Sequence, residues 1–101
     1  MRVTMTLALV LDALLHGASY GFDIIDRTGL QAGTVYPILR RLEEARFVKS
    51  RWEAVTHARE EGRPSRRLYT LTPAGHAQAA EACARYPSLF SPDARRDNPA
   101  T

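Results

Sequence analysis

Four apolar residues, Val35, Ile38, Leu39 and Leu42, fall at positions i, i+3, i+4 and i+7, and the rest of the chain has to be arranged around the helix they imply. That spacing puts one buried stripe on a helix over residues 32–45. At about 100° per residue the projection places Gly33, Thr34, Tyr36, Pro37, Arg40, Arg41 and Glu44 on the opposite side. Such a helix is held from behind by a core and presents a polar, aromatic and basic face in front. Pro37 lacks an N–H and crowds the carbonyl four residues back, so a local irregularity is expected there.

Upstream, Met5, Leu7, Val10, Leu11, Leu14 and Leu15 recur at helical spacing and stop at His16-Gly17, which reads as a helix over residues 4–16. It is apolar nearly all round, so burial on two sides is expected, against its own domain and a second subunit. Ser19 is placed to cap a short second helix to about residue 27, with Ile24 and Ile25 inward and Asp23, Asp26 and Arg27 outward. Downstream, residues 47–52 interleave Phe47, Val48 and Trp52 with Lys49 and Arg51, and residues 68–71 form a second short β-favouring run. Residues 53–67 between them, punctuated by Gly62 and Pro64, read as a polar loop, giving a hairpin with a long basic tip. Thr72-Pro73 pairs a capping hydroxyl with proline at the first helical position and starts a fourth helix that ends near residue 86, ahead of Pro87. Residues 87–101 hold three prolines and mixed charge and read as a flexible tail.

With 101 residues, 45% of them hydrophobic, the chain has room for one domain with a modest core, and a two-domain enzyme with a deep interdomain cleft does not fit. Its formal net charge is +3, and residues 46–67 alone carry seven Lys/Arg against three acids, so the basic excess belongs to one segment. The single cysteine, Cys83, excludes an intrachain disulfide and points to a reducing cytoplasm. The apolar stretch over residues 7–15 is interrupted by Asp12 and too short to span a bilayer, so no membrane partner is expected.

Three helices followed by a basic hairpin is the order of a winged helix-turn-helix: a mainly α fold with a small β-hairpin, comprising three helices, a two-stranded wing and one C-terminal helix. The expected division is a DNA-binding domain over 1–72, a dimerisation helix over 73–86 and a tail over 87–101. In that order the third helix enters the major groove, where Gly33 permits close approach and Thr34 and Tyr36 offer hydroxyls. Arg40 and Arg41 follow one turn later, while Arg63, Arg66 and Arg67 of the wing add affinity through counterion release. The same fold also serves as a protein-interaction module without DNA, a reading the basic wing disfavours. His16, His57, His76 and Cys83 lack the pair spacing of a metal site. No phosphate loop or nucleophile elbow is present, and the adjacent pairs Glu43-Glu44 and Glu60-Glu61 diverge in direction, so an enzyme is not expected.

The run Thr34-Val35-Tyr36-Pro37-Ile38-Leu39-Arg40-Arg41-Leu42-Glu43 is preceded by His16-Gly17 and by Tyr20-Gly21-Phe22-Asp23-Ile24-Ile25. It is followed by Arg67-Leu68-Tyr69-Thr70-Leu71-Thr72-Pro73-Ala74-Gly75. Together, over residues 7–76, these resemble the PadR family of bacterial regulators. The resemblance implies that the Tyr36-Pro37 pair belongs inside the helix. It further implies a homodimer on a pseudopalindromic operator of double-stranded DNA, usually a repressor released by a small aromatic or amphipathic ligand, with no cofactor. The DNA-facing positions it implies are Tyr20, Gln31, Gly33, Thr34, Tyr36 and Arg40, with Arg41 and the wing arginines beside them. The short C-terminal part places the chain nearer a compact subgroup whose dimer rests on one C-terminal helix plus the first helix, here Ala77, Ala80 and Ala84 with Leu7, Val10, Leu11 and Leu14. Alanines bury little area each, so the leucine-rich first helix is expected to contribute more. A ligand pocket is expected between subunits, where these two helices meet.

Overall fold

The computed structural model describes residues 2–90. In chain order it contains α1 (Met5–Leu15), α2 (Gly21–Thr28), α3 (Ala32–Glu44), β1 (Val48–Trp52), α4 (Val55–Glu60), β2 (Arg67–Leu71), α5 (Pro73–Ala84) and α6 (Pro87–Phe90). No helix among the described residues is long and apolar enough to cross a membrane.

Helix α1 is the axis of the core. Its first turn is closed by Thr4, whose hydroxyl accepts from the Leu7 amide at 3.2 Å. Leu7, Ala8, Val10, Leu11, Ala13 and Leu14 are all buried, and α1 packs against α2, α3, α5 and β2 of the same chain. Leu7, Val10, Leu11 and Leu14, expected at a dimer contact, lie in the core of the single chain. These four are covered from within one chain, while Met5 and Leu15 at the two ends of α1 stay exposed. Ala79 and Ala82 of α5, both fully buried, supply the small contacts that let α5 lie close.

The N-cap of α2 is Tyr20 rather than Ser19, and no side chain caps the helix. The Ser19 carbonyl accepts from the Tyr69 amide at 2.6 Å and Tyr20 bridges Leu68, so the segment ahead of α2 adds a rung beside β2 instead of capping the helix. Gly29, at φ +74°, closes α2 in the left-handed conformation. Helix α3 runs unbroken through Pro37, and the carbonyl that the proline leaves without a donor belongs to the exposed Gly33.

Strands β1 and β2 pair antiparallel from Val48 opposite Leu71 to Trp52 opposite Arg67. The segment between them, expected as loop, contains α4, which buries Ala58 and stops at Gly62 (φ +69°). The Thr72 hydroxyl accepts from the Gly75 amide at 3.0 Å and donates to the Arg46 carbonyl at 2.8 Å, fixing α5 to the turn after α3. Gly75 itself is pressed against that turn: a Cβ there would overlap the Phe47 carbonyl oxygen. The tail expected from residue 87 begins instead with the helical turn α6, whose Phe90 packs against the core. The remainder of that tail, from residue 91, lies outside the described residues.

Candidate nucleic-acid interface

With Val35, Ile38, Leu39 and Leu42 buried, α3 turns Gln31, Gly33, Tyr36, Pro37, Arg40 and Arg41 outward, with Thr34 half-buried. Arg40 and Arg41 enter no ion pair or side-chain hydrogen bond among the described residues. A Cβ on Gly33 would meet nothing within 4 Å, so no contact inside the chain requires glycine there, and the bare backbone is open to an incoming surface. Gly21 differs, because a Cβ on it would lie 2.5 Å from the Tyr36 hydroxyl oxygen. Tyr36, 46% exposed, therefore lays its ring over the start of α2 and joins the two helices.

The wing arginines Arg63, Arg66 and Arg67, expected to face DNA, have acidic partners within the chain. Glu53 is 8% exposed and accepts from both terminal nitrogens of Arg63, one of them at 2.7 Å. Arg66 approaches the same carboxylate at 3.5 Å and His57 at 3.7 Å. The Arg63 hydrogen bonds outweigh burial and hold the Glu53 carboxyl down at about 2. Arg67 donates to Ser50 Oγ at 3.0 Å and to Glu43 Oε2 at 3.3 Å, and lies 5.7 Å from the centre of the Trp52 ring. Glu43 is lowered too, first by the hydrogen bond from Ser50 and then, against burial, by Arg67. Lys49, Arg51 and Arg59 are exposed and take part in no ion pair among the described residues. Lys49 and Arg51 occupy alternate positions of β1, a signal already present in the strand pattern.

Between the start of α2, α3 and β2 lies an open cleft of about 420 Å³. Its walls are the rings of Tyr20, Phe22, Tyr36 and Tyr69, the backbone of Gly21, and Arg66 and Arg67. The Arg66 guanidinium stacks 3.8 Å above the centre of the Tyr20 ring, and burial raises the Tyr69 hydroxyl above its ordinary pKa. The sequence reading brought Tyr20, Tyr36, Arg66 and Arg67 forward but not Phe22 or Tyr69. Phe22 is 74% exposed, while the buried position of α2 beyond Gly21 is Ile24.

On α5, Ala77, Ala80 and Ala84 are exposed on the side away from Ala79 and Ala82. Met5 and Leu15 are the exposed large apolar residues of α1. His16 pairs with Asp12 at 3.1 Å, and no three His, Cys, Asp or Glu side chains among the described residues come together as a metal site.

A helix-turn-helix whose second helix offers an unpaired polar face beside a two-stranded wing defines a winged-helix DNA-binding domain. The chain belongs to the PadR-like family of transcriptional regulators, whose family model matches residues 10–81, and it is a DNA-binding regulator of that class. Its fold is similar to that of a PadR family transcription regulator from Clostridium difficile R20291. That likeness has a TM-score of 0.70 and 22% identity, and covers 85% of this chain and 91% of the other. A PadR-like transcription factor from Bacteroides fragilis is similar at a TM-score of 0.67 and 27% identity, over 84% and 82% of the two chains. BpsR of Bordetella bronchiseptica, whose DNA binding is regulated by 6-hydroxynicotinic acid, is similar at 0.67 and 22%, over 98% and 70%. No curated protein matches the chain significantly.

Proposed function

We propose that the chain is a homodimeric repressor that places α3 in the major groove of a pseudopalindromic operator. Gln31, Gly33, Thr34, Tyr36, Arg40 and Arg41 meet the duplex, and Tyr20 and the wing follow its backbone. The observation that carries this reading is the front of α3, where two unpaired arginines and a glycine with open space above it stand on a helix anchored by four buried residues. The dimer joins Ala77, Ala80 and Ala84 of α5 with Met5 and Leu15 of α1, the surface that the core leaves uncovered. Because alanines bury little, this association is weak and dissociates on dilution. Release by a small aromatic or amphipathic compound is supported by BpsR, which is regulated by such a molecule. The lone cysteine, Cys83, suits a cytoplasmic setting.

Selection of bound sequences from a random duplex pool, followed by titration at two salt concentrations, tests the reading. A selected site with two inverted halves and an affinity that falls steeply with salt is expected. Affinity insensitive to salt sinks the DNA interface, and sedimentation showing only monomer at micromolar concentration on the selected duplex sinks the dimer.

A further inference from the structure

We propose that the hollow between the start of α1 and the outer flank of α3 binds a phosphate of the DNA backbone, held by Arg2 and Arg41 together with the hydroxyls of Thr4 and Thr6. This contact rests on the DNA interface proposed above and extends it to a segment outside the helix-turn-helix.

The hollow, about 290 Å³, is lined by Arg2, Thr4, Thr6, Leu7, Ile38 and Arg41. Its floor is apolar and fixed, since Leu7 and Ile38 are both buried in the core. Val3 also packs against that core, so Arg2 is carried on an anchored backbone although it lies exposed. Two guanidiniums from separate elements thus border one space that no carboxylate lines. Neither Arg2 nor Arg41 enters an ion pair or a side-chain hydrogen bond among the described residues. The hydroxyls add a donor. Thr4 Oγ1 and Thr6 Oγ1 lie 3.1 Å apart, and the Thr4 oxygen also accepts from the Leu7 amide. Whichever oxygen donates, the bond between them uses one of the two hydroxyl protons, and the other has no acceptor among the described residues. Two cations and a spare O–H above an apolar floor suit an anion whose several oxygens point in different directions, as those of a phosphate do.

The place of the hollow in the fold says where that phosphate comes from. At about 100° per residue, Arg41 leaves α3 on the flank opposite Tyr36 and Glu43, the residues that reach α2 and the wing. Gly33 and Arg40 lie between the two flanks. A helix seated in the major groove has a sugar-phosphate backbone along each side. On the wing side Arg63 and Arg67 are engaged by Glu53 and Glu43, whereas on this side both arginines are open to the duplex. A free inorganic anion would meet the same donors, but two arginines exposed to water hold a lone ion weakly. A duplex already fixed by the face of α3 presents its phosphate at a high effective concentration.

The test uses the full chain and two duplexes, the selected site and a random sequence. Arg2→Gln, at an exposed position ahead of the first helix, is expected to leave the urea midpoint unchanged. It is expected to lower the slope of log affinity against log salt by about 1 on both duplexes, and Arg2→Lys to keep most of that slope. Phosphate-ethylation interference on the selected duplex locates the contact. One phosphate in each half is expected to tolerate no ethyl group in the wild type and to become indifferent to it in Arg2→Gln and in Arg41→Ala alike. Because the two arginines hold one phosphate, the double variant is expected to lose less affinity than the two single losses together. An unchanged slope and interference pattern in Arg2→Gln overturns the site while the DNA interface stands. Losses that add fully and map to different phosphates overturn the shared hollow. A wild-type chain that binds neither duplex overturns the interface, and shifts of the Thr4 and Thr6 amide resonances by inorganic phosphate in that chain overturn DNA as the occupant in favour of a free ion.

Discussion

The recognition helix and the wing both carry arginines, and they hold them in opposite ways. Arg40 and Arg41 have no ion-pair partner among the described residues and extend from a helix whose back is fixed by Val35, Ile38, Leu39 and Leu42. The wing has little such backing, since Val48 and Leu71 are the only strand residues that are buried. Its order comes from Glu53 holding Arg63 and Arg66, and from Glu43 and Ser50 holding Arg67. Where apolar support is scarce, charges that look available for a partner are taken up as internal structure. The basic excess of the sequence therefore overstates the free charge on the wing, and the uncommitted positive charge there sits on Lys49, Arg51 and Arg59.

This contrast can be broken experimentally, beginning with the strongest effect. Leu42→Ala is expected to cost the whole domain about 2–5 kcal/mol, because it opens a cavity behind the recognition helix. Trp52→Ala, at an exposed wing position, is expected to cost less than about 1 kcal/mol, and urea unfolding compares the two. Next in size is the salt dependence of duplex binding. Arg40→Ala with Arg41→Ala is expected to lower the slope of log affinity against log salt by about 2 with the fold unchanged. Arg63→Ala with Arg66→Ala is expected to change it by less than about 1, because those charges are already engaged by Glu53. A larger change from the wing pair would show that the duplex competes successfully with Glu53.

The third test concerns acid. Glu53 titrates at about 2 in the folded chain against an ordinary 4.5, so its stabilising contribution is fully present above about 4.5 and is lost as the pH falls from there toward 2. Hydrogen-exchange protection of the α4 amides is expected to decline across that window in the wild type and to stay flat in Glu53→Gln, while the α3 amides keep theirs in both. The smallest expected effect is that of Tyr36→Phe. It should alter stability by no more than about 0.5 kcal/mol, since the ring still covers Gly21, yet reduce preference for the selected site over random duplex.

The parts of the fold written in local periodicity were legible in the chain. The α3 stripe, the α1 run, both strands and the Thr72-Pro73 start are found within a residue or two of where spacing and capping chemistry put them. Helix α4 was missed because six residues with Ala58 alone buried give no periodic stripe, although Gly62 just beyond is a helix stop by its conformation. Ser19 has the chemistry of a cap, but pairing with β2 claimed its backbone first. The apolar circumference of α1 was visible, but a pattern cannot say which chain covers it. On the candidate site, the outward set of α3 followed from the helical projection. The capture of Arg63 by Glu53 spans ten residues and depends on how the hairpin and α4 bring them together, which no local signal records.

Gly75 gives the molecule a mechanical property. With its α-carbon seated against the Phe47 carbonyl, and Thr72 bonded to both Arg46 and Phe47, the first turn of α5 has no slack against the end of α3. The two helices therefore act as arms of one stiff bracket. A rotation imposed on α5 is expected to pull on the turn that ends α3, and a bulkier residue at position 75 is expected to loosen the bracket at its corner.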